Sequence, residues 1–396
     1  MQNPWVTFQR PTNKRLVQRM DVNRGPKKIR VAILGSRGIP ASYGGYETIT
    51  QELSIGLAQK GFEVYVSCES RGFKMKPFGM FRGVRLVYFP VINSIRSISE
   101  VIIYDALSVF WATFNVDIIY MLAYTSVPIL IFPRIFRKVV VVNADGLEWR
   151  RRKHNKLLRF LLRSFEILSL KIANCIVVDS QTLGAYYQKT YDVTPVYIPY
   201  GTREIKPLDS TFLRNYNLEK NGYYLMIARL EPENNIDLVI EEFKKSNSKK
   251  KLVIVGPLKK TSHVKKLLRS RSKKILFLGG IYEPKLQRML RHNCFAYIHG
   301  HEVGGTNPTL VEALSCRNLV IALDVGFNRE VAGEGALYFT KDMGDLKKKL
   351  EMLENNENTS QLHEAREKGY ENYRSKYSVE GMINACAALF KRIPRM

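Results

Sequence analysis

Residues 299–314, HGHEVGGTNPTLVEAL, are the stretch that decides the fold. A glycine pair allows close approach of the backbone, and Thr306 and Asn307 precede a helical pattern that begins at Thr309. The exposed start of a helix, with its free N–H groups, is suited to binding a diphosphate. The same residues also fit a capped surface helix after a tight turn. Local physics leaves both interpretations open.

Outward from this stretch, short apolar runs alternate with helical patterns in two successive series. The first series begins with an apolar strand at 28–35, a glycine-rich loop at 36–45 and a helix at 46–60. The second series begins after Gly201. Such alternation predicts parallel sheets with helices on both faces. The predicted strands that follow the first are 63–67, 84–89, 118–122, 139–142 and 175–178, then 223–227, 251–255, 275–277, 296–298, 319–322 and 336–339.

The length of 396 residues exceeds one ordinary core and predicts two domains. We place a basic arm at 1–27, a first Rossmann-like domain at 28–200 and a second at 201–375. A last helix, 376–396, is expected to pack back on the first domain.

Composition narrows the class of protein. Hydrophobic residues make up 45% and charged residues 25% of the chain, which is typical of a globular protein. The five cysteines are scattered, which favours buried thiols in a reducing compartment and no metal site. The N-terminus has no apolar core of a signal peptide, and residues 117–136 fall short of a spanning helix. We therefore expect a cytoplasmic protein.

Four segments occur in an order that resembles one enzyme family. They are GSRGIP (35–40), NADGLEW (143–149), EPENNI (231–236) and HGHEVGGTNP (299–308). The set is similar to the retaining, metal-independent glycosyltransferases of family four, and within them to bacterial rhamnosyltransferases of capsule and O-antigen assembly. The resemblance covers most of residues 29–340. It implies the α/β GT-B fold, in which two Rossmann-like, doubly wound domains face each other across a cleft that holds the active site.

The resemblance also implies roles for residues of the second domain. Glu312 matches the family glutamate that binds the donor ribose, and Arg229 matches an arginine that grips the diphosphate. The family lysine is replaced by Asn234, and the family's first glutamate by Gly304. Glu302, two residues away, is a candidate substitute. With the turn before the helix, the predicted donor contacts in this domain are Arg229, Asn234, Gly304, Gly305, Thr306, Asn307 and Glu312.

The first domain carries the remaining candidates. Asp145 stands roughly where many family members place a histidine near the sugar, although an N-cap role is equally compatible with it. Arg229, Asp145 and Glu302 are the candidate catalytic residues. The predicted donor contacts of this domain are Gly35, Arg37 and Gly38, and the predicted acceptor contacts are Gly44, Gly45, Tyr46, Glu47 and Asp145.

The net charge of +26 favours a polyanionic partner. Two clusters, 71–85 and 150–163, mix cations with apolar residues and suit an anionic membrane surface. The second cluster equally fits a solvated helix packed on its own domain. We expect a polyprenyl-diphosphate-linked saccharide acceptor at the inner face of the cell membrane. The donor is expected to be dTDP-rhamnose or a UDP-hexose, with no other cofactor and no metal.

Three other interpretations fit parts of the sequence. The charge fits a nucleic-acid-binding protein, but none of the usual binding modules is present. A dehydrogenase would need a GxGxxG loop with a suitably placed acidic residue, which the first loop lacks. A binding protein with the glycosyltransferase fold fits the replaced lysine and glutamate.

Overall fold

The computed structural model describes residues 28–41, 45–71, 77–91, 98–144, 146–150, 154–204, 211–355 and 360–393. The predicted basic arm, together with Gly44 and Asp145, lies outside the described residues, as do parts of the two basic clusters.

The first domain is built on an eight-stranded sheet in the order β3-β4-β2-β1-β5-β6-β7-β8. Neighbouring strands are parallel except for β3, which pairs antiparallel with β4 at the edge. The central strands are buried on both faces, as their continuous apolar sequences require. The strands are β1 Arg30–Leu34, β2 Glu63–Arg71, β3 Phe78–Phe81, β4 Val84–Val91, β5 Ile118–Leu122, β6 Val139–Ala144, β7 Cys175–Val178 and β8 Val196–Tyr197.

Helices cover both faces of this sheet. Asn155 and Ser180 cap two of them, because each side chain accepts the N–H of the residue three positions later. The helices are α1 Gly45–Gln59, α2 Ile98–Asn115, α3 Ile131–Ile135, α4 Lys156–Ile172 and α5 Gln181–Tyr191.

The second domain contains a six-stranded, fully parallel sheet in the order β11-β10-β9-β12-β13-β14. Its strands are β9 Tyr223–Ile227, β10 Lys251–Val255, β11 Ile275–Phe277, β12 Ala296–His299, β13 Val320–Leu323 and β14 Ala336–Phe339. Its helices are α6 Ile236–Lys245, α7 Ser262–Leu268, α8 Pro284–Asn293, α9 Pro308–Ser315, α10 Gly326–Ala332, α11 Asp345–Asn355 and α12 Ser360–Lys376.

The chain then returns to the first domain through α13, Val379–Arg392. Phe390 lies edge-on to Phe62 and Tyr120, with ring centroids 6.3 and 5.5 Å away. Gly56 of α1 leaves no room for a side chain beside Ile383, so α1 and α13 are in close contact. The last helix is therefore part of the hydrophobic core of the first domain.

The predicted fold class of two doubly wound parallel-sheet domains is confirmed. The predicted strand positions agree with the structure to within a few residues, because continuous apolar runs are distinctive of buried parallel strands. The antiparallel strand β3 was not predicted, since its side chains are only partly buried and leave no such run. Within the described part of the chain, no helix is long and apolar enough to cross a membrane.

Candidate functional site

Loops at the carboxyl ends of strands in the two sheets contact each other, as Thr306 after β12 and Asp179 after β7 do, and open parallel sheets bind ligands at these ends. In the first domain the loop after β1 contains Gly35 and Gly38, both with positive φ, at +93° and +106°. A Cβ on Gly35 would lie 2.5 Å from the Leu122 carbonyl oxygen, and one on Gly38 would lie 2.6 Å from Cys68 Sγ. Both positions therefore require glycine, and the loop lies directly on neighbouring strands.

Arg37 and Glu47 lie close together where this loop meets the start of α1. Glu47 is buried, and burial raises the pKa of its carboxyl group, while the positive charge of Arg37 acts in the opposite direction. Arg37 is half-buried, and its carbonyl accepts the N–H of Glu69 at 3.0 Å. The structure thus brings a predicted donor contact and a predicted acceptor contact to the same corner of the first domain.

Tyr46 lies beside them, in edge contact with Tyr200 at 6.5 Å between ring centroids. The Tyr200 hydroxyl accepts a hydrogen bond of 2.8 Å from Asn143 Nδ2 at the end of β6. The sequence did not single out either Tyr200 or Asn143. They connect the start of α1 to the strand that precedes the predicted position 145.

In the second domain, the loops after the adjacent strands β9 and β12 are joined by hydrogen bonds. Asn235 Nδ2 donates to the Gly300 carbonyl at 2.8 Å, and the N–H of Glu302 donates to the Glu233 carbonyl at 3.0 Å. A Cβ on Gly300 would lie 2.4 Å from the Asn234 carbonyl oxygen. The two family-like segments therefore form one rigid unit at the carboxyl edge of the sheet.

Arg229 is exposed on this unit and forms no ion pair within the described part of the chain. Glu231, two residues later, pairs with Lys259 at 3.2 Å. Asn234 is buried, and its Nδ2 donates to the carbonyl of Arg229 at 2.6 Å. Asn234 therefore positions the loop that carries Arg229, and we do not assign it to phosphate binding, contrary to the expectation from sequence.

Glu302 has a partner that the sequence did not reveal. Its carboxylate lies 2.7 Å from Lys341 Nζ, and Lys341 follows β14, two strands away from β12. Both side chains keep substantial exposure, at 24% for Glu302 and 42% for Lys341. The pair brings a cation into a region where the family lysine is absent.

The backbone explains why glycine occupies position 304. Gly304 has φ +150°, a conformation that residues with a side chain rarely adopt. A Cβ on Gly146 of the first domain would lie only 3.2 Å from the Gly304 backbone. The two glycines therefore allow the facing loops of the domains to approach each other at the site.

Thr306 joins the two domains. Its N–H donates to Asp179 Oδ2 at 2.9 Å, and its hydroxyl donates to the Asp179 carbonyl. Asp179 follows β7 of the first domain and is fully buried, and a Cβ on Gly305 would collide with its carboxylate. Thr306 is therefore an interdomain contact, and we do not assign it to the donor, contrary to the sequence prediction.

The start of α9 is likewise largely satisfied within the protein. Asn307 caps the helix, because its Oδ1 accepts the N–H of Thr309 at 3.1 Å. Pro308 has no N–H, and the N–H groups of Leu310 and Val311 bond the Asn307 carbonyl. The capped-helix interpretation thus holds for the Asn307 side chain. Within the described chain, the N–H groups of Gly305 and Asn307 remain without a hydrogen bond.

Glu312 projects from α9 and is held by Arg291, which the sequence did not identify. Arg291 of α8 is 1% exposed, and it donates to Glu312 Oε2 and, at 3.2 Å, to Gln287 Oε1. Burial acts to lower the pKa of Arg291, but the Glu312 carboxylate and nearby groups raise it, and the net direction is upward. Arg291 therefore remains charged and orients a carboxylate that keeps 21% of its surface exposed.

No cluster of three or more potential metal ligands occurs among the residues that the structure describes. The five cysteines are buried and unpaired with one another.

Comparisons with known proteins assign the second domain. Residues 28–203 match the family model described as a domain of unknown function, DUF1972, and residues 210–374 match the model described as Glycosyl transferases group 1. Through this second match residues 210–374 belong to the group 1 glycosyltransferases. No curated protein matches the chain in sequence.

Solved structures share the fold of this chain at low sequence identity. Sucrose-phosphate synthase from Thermosynechococcus elongatus has a TM-score of 0.78 and 15% identity, covering 92% of this chain and 99% of its own. HepE of Anabaena in complex with UDP and glucose has a TM-score of 0.73, with the same identity and coverage. An α,α-trehalose-phosphate synthase from Burkholderia vietnamiensis has a TM-score of 0.70 at 10% identity, with 92% and 100% coverage.

Proposed function

We propose that this glycosyltransferase moves a sugar from a nucleoside diphosphate donor to an acceptor hydroxyl, with retention of configuration and without a metal. One observation carries the proposal. The loops after β9 and β12 are hydrogen-bonded into one unit, so that exposed Arg229 stands beside the segment that leads to Glu312. A guanidinium binds phosphate oxygens through paired N–H groups, and a carboxylate accepts hydrogen bonds from ribose hydroxyls.

In this reaction the bond between the anomeric carbon and the diphosphate oxygen breaks. The acceptor oxygen bonds to the same face of that carbon, and its proton passes to the departing diphosphate. Arg229 and the N–H groups of Gly305 and Asn307 would stabilise the negative charge that develops on the leaving group. The positive end of the α9 dipole acts in the same direction.

The acceptor side is assigned to the first domain. Tyr46, Glu47 and the glycine loop with Arg37 lie together at one corner of the first domain. Glu302, oriented by Lys341, is proposed to contact the donor sugar in place of the missing family glutamate. Asp145, which lies outside the described residues, is proposed as the third catalytic candidate.

The donor is proposed to be dTDP-rhamnose, supported by the order of the four family-like segments. A UDP-hexose is the alternative, and it is favoured by the shared fold of HepE, which was solved with UDP-glucose. The acceptor is proposed to be a lipid-linked surface polysaccharide, as in capsule or O-antigen assembly. The net charge of +26 supports such an anionic, membrane-held acceptor.

Calorimetric titration with dTDP, dTDP-rhamnose, UDP and UDP-glucose tests the proposal. We expect saturable binding either of dTDP and dTDP-rhamnose or of UDP and UDP-glucose. EDTA should not change this binding, and Arg229→Ala should weaken it. Proton NMR of the product then reports the anomeric configuration. Absence of binding to every nucleotide, or an inverted product, would overturn the proposed reaction.

A further inference from the structure

The outer surface of the first domain carries an apolar ridge that the proposed reaction does not use. Helix α2 buries polar side chains beside apolar ones such as Val109 and Ala112, whereas its outer face is apolar. Asp105, Ser108 and Thr113 are buried, at 2%, 0% and 0% exposure. Its exposed side chains, among those that the structure describes, are all apolar: Ile102, Ile103, Leu107, Phe110 and Phe114.

The buried polar groups of α2 have hydrogen-bonding partners inside the domain. Ser126 donates from its hydroxyl to Asp105 Oδ2, and the hydroxyls of Ser108 and Thr113 donate to carbonyls of the same helix. Each of these three polar side chains is therefore hydrogen-bonded within the first domain while the apolar side chains on the outer face of α2 are exposed. A helix that buries polar groups and exposes aromatic ones is matched to an apolar environment outside the protein.

Short helix α3 extends the ridge. Phe132 stacks on Phe110 at 5.3 Å between ring centroids, and Phe136 after α3 lies 5.2 Å from Phe114. Ile131 and Ile135 of α3 are exposed as well, Ile135 at 71%. We define the apolar ridge as the exposed side chains of α2 together with Ile131, Phe132, Ile135 and Phe136.

The charges around the ridge identify the kind of partner. Helix α4 packs against the turn at 127–130 that leads into α3, and it exposes Leu157 and Phe160 together with Lys156 and Arg163. Arg137, after α3, is also exposed. Among the described residues of α2, α3 and α4 no carboxylate is exposed, since the acidic side chains are buried. Apolar side chains on helices whose exposed charges are cations fit an anionic lipid surface.

The ridge is also attached to the reaction site. Tyr104, on the inner face of α2, donates from its hydroxyl to the Ser36 carbonyl at 3.0 Å. Ser36 belongs to the glycine loop that contains Arg37. The helix that would contact lipid therefore supports the loop assigned to the substrates.

We propose that the apolar ridge inserts into the interface of an anionic bilayer and sets the first domain on the membrane, with the glycine loop facing the lipid-held acceptor. The ridge shares no residue with the clusters at 71–85 and 150–163 that the sequence suggested, although α4, which begins inside the second cluster, lies next to the turn that leads into α3. The orientation of the loop rests on the proposed function, whereas binding of the ridge to lipid does not.

Flotation of the full chain with vesicles tests this assignment. We expect binding to vesicles of phosphatidylcholine with phosphatidylglycerol, weaker binding to phosphatidylcholine alone, and a decrease at high salt. Two ridge variants, Phe110→Ser with Phe114→Ser, and Ile102→Ser with Ile103→Ser, should each lower vesicle binding by about tenfold or more. The second pair makes no ring contacts, so it remains informative if the first pair unfolds.

The matched control is Leu258→Ser with Met343→Ser, which removes exposed apolar side chains from the second domain. It should float like the unmodified chain. The proposal would be overturned if the ridge variants floated as well as the unmodified chain. It would also be overturned if no protein bound vesicles and the unmodified chain formed a dimer that the ridge variants did not form. Nucleotide titration of the same proteins separates the two hypotheses. A chain that floats but binds no nucleotide keeps the ridge assignment and loses the proposed reaction.

Discussion

Arg291 donates a hydrogen bond to Glu312 from inside the second domain, where the guanidinium is almost fully buried. The glutamate is the residue assigned to the donor ribose, and the arginine has no contact with the cleft of its own. A buried cation thus holds an exposed carboxylate in one orientation.

Replacement of Arg291 by Met should destabilise the second domain and weaken nucleotide binding together. Removing Arg291 should cost about 1–3 kcal/mol in the free energy of unfolding, because the partly buried Glu312 carboxylate loses its hydrogen-bond donor. Denaturant unfolding measures this cost. The matched control is Arg317→Met, which removes a surface ion pair with Glu367 and should cost about 0–1 kcal/mol. Equal costs for the two variants would contradict the role of Arg291.

Arg229→Ala should lower turnover about 10²–10³-fold while leaving the fold intact, because it removes a charge that stabilises the leaving diphosphate. Steady-state kinetics with the donor identified by titration gives the rate, and thermal unfolding checks the fold. Arg269→Ala is the control, since Arg269 is exposed at the end of α7 and away from the site. Normal turnover of the Arg229 variant would remove the residue from the mechanism.

Glu330 of the second domain caps a helix of the first. Its carboxylate accepts the N–H groups of Gln181 and Thr182 at 2.6 and 2.9 Å. Glu330→Gln should therefore favour separation of the domains, at a cost of about 1–2 kcal/mol for the lost charge-assisted hydrogen bonds.

Small-angle X-ray scattering measures this separation as a larger radius of gyration. Glu334→Gln serves as the control, because Glu334 pairs with Lys368 within the second domain. An unchanged radius for the Glu330 variant would mean that Thr306 and Asp179 hold the domains together without it.

His299 should make stability depend on acid pH. The ring is fully buried, and burial lowers its pKa from 6.5 to about 3. As the pH falls from 6.5 towards 3, His299 becomes protonated in the unfolded chain but stays neutral in the folded chain. The free energy of unfolding then decreases by up to ~1.4 kcal/mol per pH unit from this group, and the loss is absent above pH 6.5.

Urea unfolding at a series of pH values measures this slope. His299→Phe keeps a ring beside His301, whose centroid lies 4.3 Å away, and should reduce the slope. His363→Gln, on the exposed face of α12, should leave it unchanged. Identical slopes in all three proteins would contradict a lowered pKa of His299 in the folded protein.

The sequence predicted which segments contribute to the candidate site, but it predicted few of the side-chain contacts within that site. Arg229 and Glu312 could be predicted as donor contacts because their segments keep recognisable neighbours in sequence, and both remain predictions. Thr306 was placed at the donor, yet its hydrogen-bonding groups are occupied by Asp179, 127 residues earlier in the chain. No local pattern reports a partner at that distance, since only the docking of the two domains creates it.

The sequence by itself determined the two doubly wound sheets, because buried parallel strands need continuous apolar runs and those runs are visible without a structure. It also determined the order of the site segments along the chain. Only the tertiary structure decided which polar groups form hydrogen bonds within the protein, as Thr306 does with Asp179. It also decided which charged side chains form ion pairs, as Glu312 and Glu302 do. The exposure of the apolar face of α2 on the surface of the first domain is also visible only in the tertiary structure. These outcomes depend on which distant residues meet, and hydrogen bonds and burial are settled only when the chain is packed.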